Sequence, residues 1–375
     1  MSKRAFGIVT AAPQYFHVEG LHDYRPIGAF SFLGRYRVVD FPISNMSNSG
    51  IDSIQVYIGG KPRSITEHLS GGRYFNINSK KGRLDLLFSR EGARTNNTNP
   101  YDTDIEAFIE NLGPIERAPQ PYVIIVPSYM VYRQDYEALL NQHIESGADI
   151  TLLYHRVDDA KEHFLNCNYL NLNRQKGVLS IERNLGNTKD KNIFMDTYVM
   201  KKELFIELIQ EARKESSMFR LSQIISQKAS ELDIRGVAHK GYFASLTDLK
   251  SYFDASLELL DVKKAADLFD DKWTFYTRTT DSCPTQYFEG AKVKNSMISN
   301  GSMIEGTVEN SIIGRGVTIH KGAVVRNCVI QAYSEIGENV HLENLVVDKW
   351  AKIGHAQEIV AEADNPGYIR KSDVI

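Results

Sequence analysis

Residues 312–325 read IIGRGVTIHKGAVV, and an aliphatic side chain recurs every six residues, at Ile313, Ile319 and Val325. The spacing of six continues on both sides, with shorter resets between groups, at Ile298, Ile304, Ile330, Ile336, Leu342, Val347 and Ile353. Small and turn-forming residues fill the intervals. A six-residue period is typical of a parallel β-helix, whose rungs must stack to bury their apolar faces. The alternative that this pattern leaves open is a Val/Ile-rich β-sandwich.

The chain before about residue 260 follows a different pattern, in which short apolar runs alternate with amphipathic stretches. The runs at residues 6–9, 54–58, 122–126 and 150–154 are rich in β-branched and aromatic residues, as expected for strands buried in a parallel sheet. Apolar side chains with helical spacing occur at Leu204, Phe205, Leu208, Ile209 and Ala212, and again at Leu246, Leu249, Phe253, Leu257 and Leu260.

This alternation predicts a doubly wound α/β domain over residues 1–265, followed by a β-helix domain over residues 266–375. Residues 90–101 nearly lack large apolar side chains. They predict a long surface loop, which is either a lid over a site or a plain connection.

The charges of the chain nearly cancel, since 44 Lys and Arg face 47 Asp and Glu for a formal net charge of −3. Proteins that mainly neutralise nucleic acid have a basic excess, so this balance argues against a nucleic-acid partner. Three scattered cysteines are too few for a disulfide framework or a zinc cluster. No apolar run approaches ~20 residues and no signal-peptide pattern opens the sequence, so we expect a cytoplasmic protein without a membrane partner.

Residues 34–51 read GRYRVVDFPISNMSNSGI. They resemble the segment GKYRLIDFPLSNCINSGI of glucose-1-phosphate adenylyltransferases, which transfer AMP from ATP to glucose 1-phosphate and release pyrophosphate. Residues 306–313, GTVENSII, are similar to that family's GTVENSVI. The resemblance covers nearly the whole chain and implies a Rossmann-like nucleotidyltransferase domain followed by a left-handed parallel β-helix of hexapeptide repeats.

The family's phosphate-binding loop, which reads like GGxGTRL, has no counterpart after the first predicted strand. Residues 10–17 read TAAPQYFH instead. A glycine-rich loop brings backbone N–H groups up to a triphosphate. Here Pro13 lacks that donor, and Tyr15 and Phe16 are bulky where a phosphate must come close.

Three charged positions of the family align with neutral residues. Ile27 stands at the lysine of the RAKP segment, and Tyr129 and Ser245 stand at two aspartates that bind Mg²⁺. A phenol and an aliphatic hydroxyl are neutral at pH 7 and replace carboxylates poorly as Mg²⁺ ligands. The resemblance therefore implies a degenerate active site in which this chain supplies no catalytic residue, metal ligand or cofactor site of its own.

Other polar residues near these positions have ordinary structural explanations. Residues 245–248 read SLTD at the start of an apolar-periodic stretch, which predicts that Ser245 caps a helix in a capping box. Asp102, Asp104 and Glu106 are candidates for substitute metal ligands, but solvated acidic residues in a polar loop are far commoner. Three histidines, His17, His22 and His68, have no partner pattern in the sequence. We therefore expect them to have surface or packing roles.

Four charged residues are candidates for retained ligand contacts. Glu182 and Arg183 align with the sugar-binding segment FVEKP, so the resemblance implies residual affinity for a sugar phosphate. The basic residue at the Arg35 position contributes to an allosteric anion site in relatives, and arginine geometry suits phosphate. Arg35 and Arg37 are therefore candidates for regulatory contacts, and pairing with a neighbouring carboxylate such as Asp40 is the alternative.

The losses resemble those of the GlgD-type subunit, a branch of the family generally regarded as weakly active alone. The resemblance implies that this chain is a regulatory subunit, which forms a homo- or hetero-tetramer with a catalytic homologue. That homologue uses Mg²⁺ and ATP. The resemblance also implies that a sugar phosphate acts as an effector. A self-sufficient transferase with a rearranged metal site is the alternative. A hexapeptide acyltransferase is disfavoured, because His320 and His341 lack the context of a catalytic histidine.

Overall fold

The computed structural model describes residues 4–78, 80, 82–88, 104–215 and 220–375. In these ranges an α/β domain precedes a parallel β-helix, as predicted. The strands of the α/β domain are β1 (Ala5–Thr10), β2 (Ser31–Phe32), β3 (Tyr36–Arg37), β4 (Ser53–Ile58), β5 (Arg83–Phe88), β6 (Tyr122–Pro127), β7 (Met130–Tyr132), β8 (Ile150–Val157), β9 (Asn168–Leu172), β10 (Val178–Arg183), β11 (Lys191–Lys201), β12 (Ile234–Ala238) and β13 (Phe243–Ser245). The predicted loop at residues 90–101 lies outside the described ranges.

Helices cover both faces of this domain. They are α1 (Asp40–Asn48), α2 (Arg63–Leu69), α3 (Asp104–Glu110), α4 (Leu112–Glu116), α5 (Tyr136–Ser146), α6 (Lys202–Glu215), α7 (Leu221–Gln227), α8 (Leu249–Glu258) and α9 (Val262–Leu268). Short 3-10 turns lie at Leu21–Asp23, Ile27–Ala29, Ser70–Gly72 and Lys228–Ser230. The predicted apolar stripe at residues 204–212 lies on α6, which buries Phe205, Leu208, Ile209 and Ala212.

The central sheet has nine strands, in the order β10-β9-β11-β6-β1-β4-β5, with β8 pairing β11 and β12. Strands β6, β1 and β4 are parallel, as predicted, and β5, a strand that the sequence pattern did not predict, pairs in parallel with β4. The prediction of a parallel environment is wrong for one side of β6 and one side of β8, because β11 lies antiparallel between these two strands. Alternate side chains of β1 point to opposite faces, so Ile8 and Val9 enter separate apolar cores.

The second domain is the predicted left-handed parallel β-helix. Its strands are β14 (Gln286–Tyr287), β15 (Lys292–Lys294), β16 (Met297–Ile298), β17 (Met303–Ile304), β18 (Thr307–Glu309), β19 (Ile312–Ile313), β20 (Thr318–Ile319), β21 (Val324–Arg326), β22 (Val329–Ile330), β23 (Glu335–Ile336), β24 (His341–Glu343), β25 (Leu345–Val347), β26 (Lys352–Ile353), β27 (Glu358–Val360) and β28 (Gly367–Ile369). Every third strand stacks in parallel, which gives three sheets of five strands. The periodic aliphatics from Ile304 to Ile353 are buried, whereas Ile298 on the first rung is only partly buried.

One corner of each of the first four turns of the β-helix is occupied by asparagine in the left-handed backbone region. Asn295, Asn310, Asn327 and Asn344 have φ values between 43° and 56°. Asparagine tolerates this conformation better than most residues because its short side chain bonds locally. In the first two turns the Nδ2 of Asn295 donates to the Oδ1 of Asn310 at 2.8 Å. These corners set the period at which the aliphatic side chains return to the core.

A buried polar network joins the two domains. Arg25 donates to both carboxylate oxygens of Asp348, at 2.7 and 2.5 Å, and to the Oε1 of Gln331 at 3.0 Å. The hydroxyl of Tyr368 donates to Asp348 at 2.9 Å, and the Nε2 of Gln331 lies 3.4 Å from the hydroxyl of Tyr252. Apolar side chains of β19, β22 and β25 join the core of the α/β domain beside this network.

Helix α8 begins differently from the sequence prediction. The residue that caps it is Asp248, whose carboxylate accepts from the N–H of Ser251 at 2.7 Å while the Ser251 hydroxyl accepts from the N–H of Asp248. The prediction that Ser245 is this cap is wrong, because Ser245 pairs with Met130 in the ladder between β13 and β7. The domain boundary between residues 265 and 266 stays a prediction, since α9 continues to Leu268 and the first rung begins at Gln286.

Candidate functional site

The carboxyl ends of β1 and β4 open into a cavity of ≈ 280 Å³. Open α/β sheets bind ligands in crevices at the carboxyl ends of their strands. The lining is mainly apolar, and its charged side chains are Arg25, Lys61, Asp104 and Arg220. This cavity lies where the resemblance implies a nucleotide.

The loop after β1 fills part of this region with aromatic rings. Phe16 is buried, and its ring centroid lies 5.1 Å from that of Tyr129. The Tyr15 ring carries the guanidinium groups of Arg183 and Arg220, at 4.2 and 5.1 Å from its centroid. The arginines therefore contact an aromatic face where a phosphate-binding loop would present N–H groups.

The two positions aligned with metal-binding aspartates lie on adjacent strand segments and are both buried. The Tyr129 hydroxyl donates a short hydrogen bond to Asp196, and burial raises the pKa of this hydroxyl well above its usual value. The Ser245 Oγ lies 3.4 Å from the Sγ of Cys167. Burial raises the pKa of the Cys167 thiol to about 12. All three groups are therefore neutral at pH 7, so they offer Mg²⁺ no anionic ligand.

The carboxylates nearest to these positions are already bonded to protein groups. Asp196 accepts from Tyr129, and burial raises the pKa of Asp196 to about 6. Asp104 at the start of α3 accepts from the N–H groups of Ile105 and Leu221, and burial raises its pKa. Within the described ranges no group of three His, Cys, Asp or Glu side chains is placed to hold a metal ion. The residues present do not fit the Mg²⁺ site that the family implies, and Asp102 lies outside the described residues.

Ile27 is buried in a 3-10 turn beside the cavity, so no cation occupies the position of the family's lysine. The nearest cation in the sequence, Arg25, is bonded to Asp348 and Gln331 in the network between the domains. The segment that aligns with a phosphate contact in relatives therefore joins the two domains in this chain.

Glu182 and Arg183 follow each other on β10 and their side chains have separate partners. Glu182 accepts from the Tyr169 hydroxyl at 2.6 Å and from the Nδ2 of Asn171 at 2.7 Å, and the Tyr169 bond lowers the pKa of Glu182. Arg183 stacks on Tyr15. Successive residues of a strand point to opposite sides, so the structure does not bring these two candidates together.

A second candidate site lies between the hairpin of β2 and β3 and the β-helix. The turn of this hairpin packs against the β-helix so closely that a Cβ added to Gly34 would lie 2.8 Å from the carbonyl oxygen of Ile313. Arg35 follows in the turn and is exposed, while Arg37 on β3 is half-buried. The Nη1 of Arg37 donates to the carbonyl oxygen and the hydroxyl of Ser64, at 2.5 and 2.8 Å.

Neither guanidinium pairs with Asp40 among the described residues. That carboxylate accepts from the backbone N–H of Arg37 at 2.8 Å and contacts the Nε2 of His68 at 2.6 Å. Burial lowers the pKa of Arg37 to about 10, and the charge of Arg278 adds to this effect. Arg37 is therefore a partly desolvated cation next to other cations.

Three cations that the sequence did not single out complete this cluster. Arg315, in a β-helix turn, donates to the Oγ1 of Thr280 at 2.7 Å, while its Nε is buried without a hydrogen-bond partner. Its pKa is lowered by burial and by the charges of Arg35 and Arg278. Lys349 has its pKa lowered to about 7 by burial, Arg37 and Arg25. We call Arg35, Arg37, Arg278, Arg315 and Lys349 the interdomain cation cluster.

The nearby carboxylates do not neutralise this cluster directly. Asp40 contacts His68, Asp348 is bonded to Arg25, and Glu67 accepts from Arg63 at 2.9 Å. Closely spaced, partly buried cations repel each other, and an anion between them relieves both repulsion and desolvation. The cluster is chemically suited to a phosphate or sulfate group. Of the cluster members in the β-helix, only Arg315 had a signal in the sequence, since it stands between two turn glycines at residues 314–316.

The chain is similar to proteins of known families over most of its length. The family described as nucleotidyl transferase matches residues 23–261, and the GlmU-like C-terminal hexapeptide family matches residues 284–371. The glycogen biosynthesis protein GlgD of Geobacillus stearothermophilus is 32% identical over 87% of this chain and 84% of its own length. GlgD of Bacillus subtilis (strain 168) is 27% identical over 99% and 96%.

A third relative is a glucose-1-phosphate adenylyltransferase from Fervidobacterium nodosum. It is 28% identical over 92% of this chain and 83% of its own length. In the described part of the chain, no helix has the length and apolar character needed to cross a membrane.

Proposed function

This chain belongs to the nucleotidyl transferase family, among the GlgD proteins and glucose-1-phosphate adenylyltransferases, and from that premise we propose that it is a regulatory subunit in glycogen biosynthesis. It assembles with a catalytic homologue that converts ATP and glucose 1-phosphate to ADP-glucose and pyrophosphate. The catalytic homologue uses Mg²⁺ and ATP, while this chain contributes little or no turnover and alters the response of its partner to an anionic effector.

The observation that carries the proposal is the state of the two metal positions. Adenylyl transfer develops negative charge on the triphosphate, which metal ions and fixed cations must neutralise. Tyr129 and Ser245 are neutral and buried, and Tyr129 is bonded to Asp196. The carboxyl groups of Asp104 and Asp196 line the same region, where their ionised forms repel a triphosphate. These features support loss of catalysis together with retention of the fold.

The alternative, a self-sufficient transferase, would need a rearranged metal site. Asp104 and Asp196 are the carboxylates closest to such a site, but their oxygens are engaged with backbone and phenol donors. Restoring aspartates at Tyr129 and Ser245 should be unnecessary for activity if this alternative is correct.

The interdomain cation cluster supports the regulatory part of the proposal. It contains Arg35, whose position the resemblance connects with an anion site, together with the second candidate Arg37, and it lies where the α/β domain contacts the β-helix. An anion bound there would change the contact between the domains. We propose that Arg35, Arg37, Arg278, Arg315 and Lys349 bind the phosphate group of an effector such as a sugar phosphate.

The proposal is tested by mixing purified chain with its catalytic homologue and measuring ADP-glucose formation. We expect the chain alone to be roughly 10³-fold or more less active than the homologue, because several charge-stabilising groups are missing. We expect the mixture to show a changed rate and activator response relative to the homologue with albumin added as a protein control. Equal rates and equal activator response in both mixtures would contradict the regulatory proposal.

The double variant Arg35→Ala/Arg315→Gln should weaken phosphate binding about 10- to 100-fold, because each arginine supplies charge-assisted hydrogen bonds. Isothermal titration of the chain with phosphate measures this effect, and the activator response of the mixture should weaken in parallel. Arg174→Ala removes an exposed arginine elsewhere and is the matched control.

Sulfate titration at pH 6 and pH 8 gives a second readout of the same site. Lys349 has a pKa of about 7 and loses its positive charge between these values, so sulfate should bind more weakly at pH 8. Unchanged anion binding and activator response in the double variant would remove the interdomain cation cluster from the proposal.

A further inference from the structure

Lys349 is a partly exposed lysine in a β-helix turn, and its side chain has no ionic partner. Its backbone N–H donates to the Oδ1 of Asp348 at 2.7 Å, and the same carboxylate accepts from Arg25 and from the Tyr368 hydroxyl. Among the described residues, the Lys349 side chain forms no hydrogen bond and no ion pair of its own. Lysines removed from water are usually paired, so this amine is unusual.

Most of the charges that act on this amine are positive. Arg37 and Arg25 of the α/β domain and Lys371 of the last β-helix turn disfavour its protonated form, while Asp348 opposes them. Burial and these cations lower the pKa of Lys349 to about 7. A large share of the amine is therefore unprotonated at neutral pH, whereas a lysine with the ordinary pKa of about 10.4 is almost entirely ammonium.

The backbone hydrogen bonds of the β-helix place Lys349 in register with Arg315. The N–H of Tyr333 donates to the carbonyl oxygen of Arg315 at 2.9 Å, and the N–H of Trp350 donates to that of Ala332 at 3.3 Å. Arg315, Ala332 and Lys349 therefore occupy equivalent positions on three successive turns, and the backbones of the outer two are roughly 9–10 Å apart. Only a methyl group lies between the two basic side chains in this column, which contains no carboxylate.

An unprotonated amine in such a place can react with CO₂. The nitrogen lone pair forms a bond to the carbon of CO₂, one C=O π bond breaks to give an oxyanion, and the amine proton passes to solvent: R–NH₂ + CO₂ → R–NH–COO⁻ + H⁺. No oxidant and no activated donor is needed. The product exchanges a neutral amine for an anion, which nearby positive charges stabilise. Guanidinium groups are well suited to such a carboxylate-like group, because they can donate two parallel hydrogen bonds.

We propose that Lys349 is a carbamylation site, at which CO₂ adds reversibly to the side-chain amine and the positive charges of Arg37 and Arg25 stabilise the carbamate. The modification converts the one lysine of the interdomain cation cluster into an anion. This inference goes beyond the proposed function, because it requires neither a catalytic homologue nor a phosphate effector.

The modification is tested on the full chain alone, incubated with ¹³C-labelled bicarbonate and then treated with triethyloxonium, which converts a carbamate to a stable ethyl ester. Mass spectrometry of the peptides locates the labelled group. We expect it on Lys349, at least ~10-fold more often than on Lys321, an exposed lysine of the same β-helix. At equal dissolved CO₂ the label should increase from pH 6 to pH 8, because the reaction needs the unprotonated amine and releases a proton. Absence of label from Lys349, or equal label on Lys321, would overturn the inference without any variant.

A variant tests whether the neighbouring cations are the cause. Arg37→Gln removes one positive charge beside Lys349, so the pKa of this lysine should rise, and each unit of increase lowers the unprotonated fraction about tenfold. At subsaturating CO₂ we expect roughly 10-fold less label on Lys349, while Arg174→Gln, at an exposed arginine elsewhere, should match the wild type. Lys349→Arg keeps a cation and should remove the label from this position. Unchanged label on Lys349 in Arg37→Gln would contradict the proposal.

Discussion

Asp348→Ala should lower the stability of the chain by about 3–5 kcal/mol, the usual cost of leaving a buried charge without its partner. Asp348 is fully buried, and it accepts from Arg25, from the Tyr368 hydroxyl and from the N–H of Lys349. Its removal leaves the Arg25 guanidinium enclosed with Gln331 as its remaining hydrogen-bond partner among the described residues. The variant therefore weakens the contact between the two domains.

Urea denaturation followed by tryptophan fluorescence measures this effect. The chain has two tryptophans: Trp273 donates to Asn45 in the α/β domain, and Trp350 lies two residues from Asp348 in the β-helix. The variant should unfold at a lower urea concentration than the wild type. The fluorescence transition that Trp350 reports should shift most. Glu335→Ala removes an exposed ion pair with Lys352 on the same β-helix and should cost less than about 1 kcal/mol.

Replacing both members of the pair distinguishes charge burial from simple loss of packing. Arg25→Met/Asp348→Leu removes both charges while keeping apolar volume, and such replacements of buried pairs are often neutral or stabilising. The double variant should therefore be more stable than Asp348→Ala alone. Equal destabilisation by both variants would show that the network acts through shape and not through its charges.

The parts of the fold that depend on local periodicity could be predicted from the sequence. One aliphatic residue per β-helix side recurs every six positions, because each side contributes one inward position to a continuous core. The strands β1, β4 and β6 were predictable in the same way, since both of their faces are buried. The antiparallel insertion of β11 was not, because its pairing partners β6 and β8 are chosen by topology and not by its own composition.

The candidate site likewise has features that the sequence could predict and features that it could not. The substitutions at Ile27, Tyr129 and Ser245 were visible as departures from a motif, but their present contacts were not. Ser245 resembled a helix cap in the sequence, yet the strand ladder with Met130 places it before the helix and leaves the cap to Asp248. A sequence window of four residues cannot reveal that competing strand pairing.

Only part of the interdomain cation cluster could be predicted from the sequence. Arg35 and Arg37 lie in the segment that carries the family resemblance, whereas Arg278, Arg315 and Lys349 come from distant parts of the chain. Arg315 reaches the backbone of Arg35 across 280 positions. Such clusters form only when two domains meet, and no local pattern records that meeting.

The region around Tyr129 contains a buried acid, Asp196, whose effect on stability depends on pH. Asp196 lies at a break in the register of β11 with φ of 42°, and its carboxylate accepts from Tyr129. Burial raises the pKa of Asp196 from 3.8 to about 6, and the charge of Asp104 contributes in the same direction. The folded chain therefore binds a proton here more tightly than the unfolded chain does between about pH 4 and pH 6.

Asp196→Asn should stabilise the chain above pH 6 by roughly 2–3 kcal/mol, since a pKa difference of about two units corresponds to that free energy. In the wild type, stability falls as pH rises from about 4 to about 6, because the folded state then gives up a proton that it had bound more tightly. Asparagine carries no charge, can still accept from Tyr129 and tolerates the positive φ. The melting temperatures of the two proteins should therefore converge below pH 4 and separate by pH 7. Asp364→Asn, at an exposed position, should show no such pH-dependent difference, and a constant offset between Asp196→Asn and wild type from pH 3.5 to pH 8 would show that charge burial is not its cause.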